Sequence, residues 1–136
     1  MATCCTSLPL GLLVLSLLCV ATADVRVRGL RGYGLNGDAK SDPDPYVKVF
    51  CGYAFGGQTE SIDENPNPTW HAAFSFPDGR PGDVLKLEVW ERDKMYDDHL
   101  GTCTTTVQSG SHKISCSLAR GRIEFHYELF SCLDSV

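Results

Sequence analysis

Basic residues are in the minority in this 136-residue chain, 12 Lys and Arg against 17 Asp and Glu, for a net charge of −5. A nucleic-acid partner needs a basic stripe, so this balance argues against one. A membrane is not excluded in the same way, because a bound cation reverses the sign of charge locally. No Gly-x-Ser-x-Gly motif or similar nucleophile setting occurs, and with it goes the usual signature of a hydrolase. His71, His99, His112 and His126 are scattered over different segments. His99 adjoins Asp98, but without a nucleophile it reads as an exposed imidazole rather than an acid–base catalyst. The chain is therefore expected not to be an enzyme. No Cys-x-x-Cys pair is present, which argues against structural zinc. Asn67 is followed by Pro68, so it is no glycan acceptor. Helical periodicity, internal repeats and low-complexity segments are all missing.

What is present begins with an apolar run, Leu8 to Val20, broken only by Ser16 and followed by Ala21-Thr22-Ala23. That pattern predicts a secretory signal over residues 1–23, although no Lys or Arg precedes the run. The run is short for a membrane span and no stop-transfer charges follow it. Residues 24–136 are then expected to form one secreted, extracellular domain. Cys51, Cys103, Cys116 and Cys132 remain after cleavage, and four cysteines in an exported chain suggest two disulfides in one of three connectivities. Cys103 and Cys116 flank the turn-like Gln108-Ser109-Gly110 and are placed to face each other across a hairpin, which leaves Cys51 for Cys132.

Short alternating segments dominate the rest: Val25 and Val27, Val47 and Val49, Leu85 to Val89, Ile123 to Leu129. A period of two marks strands with one buried face. Gly57 to Ser61, Thr69 to Phe76, Leu100 to Val107 and Lys113 to Leu118 complete the set. The spacing predicts an all-β fold, an eight-stranded antiparallel β-sandwich. Gly29 to Pro45 and Glu91 to His99 read as loops, and Trp70, Trp90 and Tyr46 read as packing residues.

Carboxylates crowd those loops: Asp38, Asp42-x-Asp44, Glu91-x-Asp93 and Asp97-Asp98. Like charges a few ångströms apart repel unless a cation neutralises them. Oxygen-only donors on flexible loops suit calcium, which takes six to eight oxygens. The ordered set Gly37-Asp38-x5-Asp44-Pro45-Tyr46-Val47-Lys48-Val49, Asn67-Pro68-x-Trp70 and Val89-Trp90-Glu91-x-Asp93-x3-Asp97-Asp98-x-Leu100-Gly101 resembles the C2 domain family. Within it, the downstream Leu100-Gly101-Thr102-Cys103, Ser109-Gly110-x-His112, Cys116-x-Leu118 and Gly121-Arg122-Ile123-x-Phe125-x-Tyr127 are similar to the C-terminal C2 domains of perforins.

The resemblance implies a type II sandwich that binds calcium at one tip and docks on phospholipid. It implies Asp38 and Asp44 as first-loop ligands, and Glu91, Asp93 and either Asp97 or Asp98 from the third loop. Pro43 and the register favour Asp44 over Asp42. Glu91 stands where the family usually has Asp, and the third loop is a residue short. The positions that enter the bilayer in the family correspond to Asn36 and Ala39, with Lys94, Met95 and Tyr96 in the third loop. The resemblance also implies a Cys103–Cys116 disulfide. The expected function is a secreted, calcium-dependent phospholipid-binding module without a pore-forming domain, acting in membrane recognition or defence. A protein partner would then supply lytic activity. The competing expectation is a secreted protein- or glycan-interaction module that needs no calcium.

Overall fold

The computed structural model describes residues 23–37 and 41–131. The expected signal segment therefore lies outside the described residues except for Ala23, as do Asp38, Ala39 and Cys132. Among the described residues nine strands are formed: β1 (Ala23–Tyr33), β2 (Pro45–Cys51), β3 (Ala54–Gln58), β4 (Thr69–Trp70), β5 (Phe74–Phe76), β6 (Val84–Glu91), β7 (Asp98–Thr106), β8 (Gly110–Leu118) and β9 (Gly121–Ser131). One antiparallel sheet runs β4-β1-β9-β8, with β5 also on β1; the other runs β3-β2-β6-β7. The fold is the all-β antiparallel sandwich that the alternation predicts. Because β4 and β5 share one flank of β1, nine segments fill eight strand positions. The first strand pairs with the last, and the first acidic loop joins the first two strands, which matches the type II order.

Alternation sets the core. Val25, Val27, Val47, Val49, Leu85, Leu87, Val89, Ile123, Phe125 and Leu129 all point between the sheets and are essentially fully buried. Trp70 joins them from β4 and donates its indole N–H to the Pro45 carbonyl at 3.3 Å. That contact ties the two sheets together close to the loop end.

Three departures from the sequence reading have physical causes. Thr69 to Phe76 is two short strands, interrupted where β1 bulges between Arg28 and Arg31. Gly29, at φ +68, supplies the left-handed turn of that bulge, and β1 resumes beyond it, so residues 29–33 are strand rather than loop. Cys103 and Cys116 do not face each other across a hairpin, because β7 and β8 belong to different sheets. Their sulfurs instead lie at bonding distance across the sandwich, with Cα atoms 5.7 Å apart. They close the edge where β7 and β8 meet. Cys51 is buried at the end of β2 with no disulfide partner among the described residues.

Phe125 is fully buried at the centre of β9. Phe125→Ala should cost about 3–5 kcal/mol of unfolding free energy, read by chemical denaturation.

Candidate functional site

Chain segments 34–37, 41–44, 59–68 and 92–97 all emerge at one end of the sandwich, between β1 and β2, β3 and β4, and β6 and β7. Backbone hydrogen bonds clamp them together. Leu35 N–H donates to Pro66 O at 2.8 Å, Asn65 N–H to Pro43 O at 2.9 Å, and Arg92 N–H to Asp44 O at 2.9 Å. Side chains reinforce the clamp: Gly34 N–H reaches Asn67 Oδ1 at 2.9 Å and Glu64 N–H reaches Asp44 Oδ1 at 2.7 Å. The prolines of Asn65-Pro66-Asn67-Pro68 leave carbonyls free to accept, which explains why this segment reads as an entry into β4 and behaves as a brace.

A cleft of about 350 Å³ opens at this end, lined by Asp42, Asp44, Glu64, Glu91, Asp93 and the basic Arg92 and Lys94. Carboxylates far apart in sequence thus face one space. Glu91 is 5% exposed, and its carboxylate packs directly on Gly37, where any Cβ would overlap the carboxylate oxygens. Asp98 is the cross-strand partner of Glu91, so the two side chains leave the same face of the sheet. Asp97 is held elsewhere. Its Oδ1 accepts from Asp93 N–H at 3.1 Å and its Oδ2 from the Tyr46 hydroxyl at 2.5 Å. The Tyr46 bond and the Asp93 amide lower the Asp97 pKa, and burial followed by the Asp97 bond raises that of Tyr46 to about 12.

Asp42, which the register leaves out of the ligand set, lines the cleft after all. Glu64 was missed entirely, although the acidic pair Asp63-Glu64 just before the prolines was a readable signal. Trp90 is not core: it lies half-buried on the outer face of its sheet, with Lys48 Nζ 4.7 Å above its ring and His99 packed against it. Tyr46 does pack, but on that same outer face. His99 is exposed as expected, with Nε2 2.7 Å from Thr102 Oγ1. Lys94 and Asn36 are exposed, Met95 is 81% and Tyr96 79% exposed, and Ala39 falls outside the described residues.

Residues 23–122 match the C2 domain family. The chain belongs to that family. It is 39% identical to human perforin-1 over 111 residues, covering 77% of this chain and 19% of that protein. It is 37% identical to human extended synaptotagmin-1 over 82 residues, covering 56% of this chain and 7% of that protein. The chain thus spans about a fifth or less of these longer relatives. A solved C2 domain structure superposes with a TM-score of 0.76 at 38% identity, covering 79% of this chain and 97% of that one. Calcium-bound extended synaptotagmin-2 C2A and C2B domains share the fold, with a TM-score of 0.68 at 20% identity over 80% of this chain and 46% of that one.

The donor set suits the calcium that the family implies: oxygen atoms only, from separate loops, with the Gly37 cradle open for the bulk of Glu91. Among the described residues no three acidic groups already close on a single point; Asp38 lies outside them.

The Tyr46–Asp97 bond makes a testable pair. Asp97→Asn should lower the Tyr46 pKa from about 12 part of the way toward 10, since burial remains. NMR titration of the Tyr46 ring reads it. Because the folded pKa is raised, Tyr46 favours the folded state up to the unfolded pKa near 10. That contribution fades between pH ~10 and ~12 in the native sequence, and over a narrower window in Asp97→Asn.

Proposed function

We propose that this chain is a secreted, calcium-dependent phospholipid-binding C2 module. The observation that carries the reading is the cleft shared by Asp44, Glu91 and Asp93, with exposed Met95 and Tyr96 beside it. Asp44 and Asp93 would hold the cation from two loops, with Glu91 and Asp38. Asp98, standing opposite Glu91, is the better third-loop ligand than Asp97, whose oxygens are already engaged. Bound calcium supplies positive charge that neutralises these carboxylates and attracts anionic headgroups. The chain's own residues do the rest. Lys94 adds a headgroup contact, on the order of 1 kcal/mol for a basic residue near the surface. Burying Met95 and part of Tyr96 adds about 3–4 kcal/mol by area. Neither contribution suffices alone, so docking is reversible, salt-sensitive and calcium-dependent.

Outside cells such modules bind calcium at about 10⁻⁴–10⁻³ M, which keeps this one occupied there and largely empty inside. Similarity to part of perforin-1 supports a role in membrane recognition or defence, with a separate protein supplying any lytic step. The chain acts by binding, not as an enzyme. In the oxidising compartment Cys103 and Cys116 form a disulfide that staples the two sheets.

Co-sedimentation with anionic phosphatidylserine vesicles should be strong in calcium and lost in chelator, and Asp44→Asn with Asp93→Asn should abolish it. Met95→Ala with Tyr96→Ala should weaken it at least tenfold while leaving calcium binding intact. Equal sedimentation in calcium and chelator would sink the reading. Calcium at a hundred times its Kd should stabilise the native chain by about 2.7 kcal/mol and leave the Asp93→Asn melt unmoved. Replacing Cys103 and Cys116 by Ala should cost about 2–4 kcal/mol under non-reducing conditions only; a melt insensitive to reductant would disprove the staple.

A further inference from the structure

The outer face of the five-stranded sheet is cationic, in a protein of net charge −5. A cleft of about 420 Å³ runs across it, lined by Arg28, Arg31, Lys113, His71 and His126 together with Glu124. The bulge makes this possible. Residues three apart on a regular strand point to opposite faces, but the extra residue at Gly29 shifts the register between Arg28 and Arg31. Arg28 then pairs with His126 and Arg31 with Glu124, in adjacent rows of one face. Gly29 cannot carry a side chain easily: its φ is +68 and a Cβ would stand 3.0 Å from the His126 ring. Bulges commonly re-aim side chains beside functional sites.

The carboxylates of this face are accounted for. Asp24 pairs with Arg26 at 2.9 Å, and Glu124 is held by Arg122 and by Lys113 at 3.8 Å, with Tyr33 bonding it at 3.3 Å. Glu128 stands one row away, opposite Arg26. Among the described residues no carboxylate lies within ion-pair distance of Arg28 or Arg31. Two guanidinium groups without partners therefore share one groove, and Arg matches planar anions bidentately.

We propose that this groove is a second binding site, for a sulfated polysaccharide. The row Arg28, His126, Lys113 crosses three adjacent strands, at about 4.8 Å per strand, and Arg31 extends it into the next row. A linear polyanion can follow such a row, because Glu124 in the groove is already offset by Arg122 and Lys113 and Glu128 lies one row beyond it. Arg28 and the end of β1 at Tyr33 pair with His126 and Arg122, four residues apart on β9, which puts Arg28 about 13 Å short of the acidic end of the strand. A flat bilayer touching Met95 and Tyr96 does not reach a side face at that depth. The site shares with the calcium reading only the extracellular location and is otherwise independent of it.

The test is titration of the whole secreted chain with heparin in chelator, beside desulfated heparin and anionic vesicles. Heparin should bind without calcium, desulfated heparin should not, and Arg28→Ala with Arg31→Ala should weaken binding at least tenfold with an unchanged melt. The slope of log affinity against log salt should fall by about two in that variant. Asp44→Asn with Asp93→Asn should leave heparin binding intact, which separates failure of this site from failure of the calcium tip. No binding to heparin, binding indifferent to the two arginines, or arginine-dependent binding to vesicles alone would each overturn the proposal.

Discussion

Backbone hydrogen bonds, rather than the carboxylates themselves, hold the acidic end of this molecule together. Left alone, Asp42, Asp44, Glu64, Glu91 and Asp93 repel one another and would spread their loops apart. The bonds from Leu35, Asn65 and Arg92 to carbonyls of neighbouring loops prevent that. They are anchored in turn by the β2–β6 ladder, which runs as far as Pro45 opposite Glu91. A preformed clamp of this kind lowers the ordering cost of gathering a cation, because the loops are positioned before any ligand arrives.

The same scaffold separates charge by sign. Acidic groups collect where strands end, since loop geometry lets them face a common cleft. Basic groups collect on a side face, since a bulge in β1 brings Arg28 and Arg31 onto one surface. A third environment lies on the outer face of the other sheet, where Lys48 over Trp90 and Lys86 over Phe50 cover aromatic rings. There the cations are already engaged with rings, and Lys86 also with Glu88 at 3.3 Å. On the five-stranded sheet Arg122 likewise covers the Tyr33 ring, and among the described residues Arg28 and Arg31 are the cations of that face left without an ion pair.

Much of this was legible in the linear chain. Alternation of Val, Leu, Ile and Phe against polar residues located most strands, because burial of one face demands a period of two. Carboxylate spacing identified Asp44, Glu91 and Asp93 as members of one cleft. The misreadings share a cause. Hydrophobic pattern says which face a residue takes, not which strand lies beside it. Cys103 and Cys116 flank a turn in sequence yet belong to different sheets. Trp90 shares the period-two phase of Lys86 and Glu88 and lies outside with them, although its size had suggested core packing. Arg31 looked like a loop residue because Gly29 hides a bulge, and Glu64 was overlooked because its segment has no strand pattern of its own.

Local chemistry along the chain determined the all-β class, the strand faces and the acidic character of the loops, since these depend only on neighbouring residues and solvent. The folded body alone decided which loops meet, that Asp97 turns toward Tyr46 while Asp98 stands beside Glu91, and that two arginines three residues apart share one surface. Those outcomes depend on strand register and on backbone bonds between segments tens of residues apart, and sequence spacing carries no record of either.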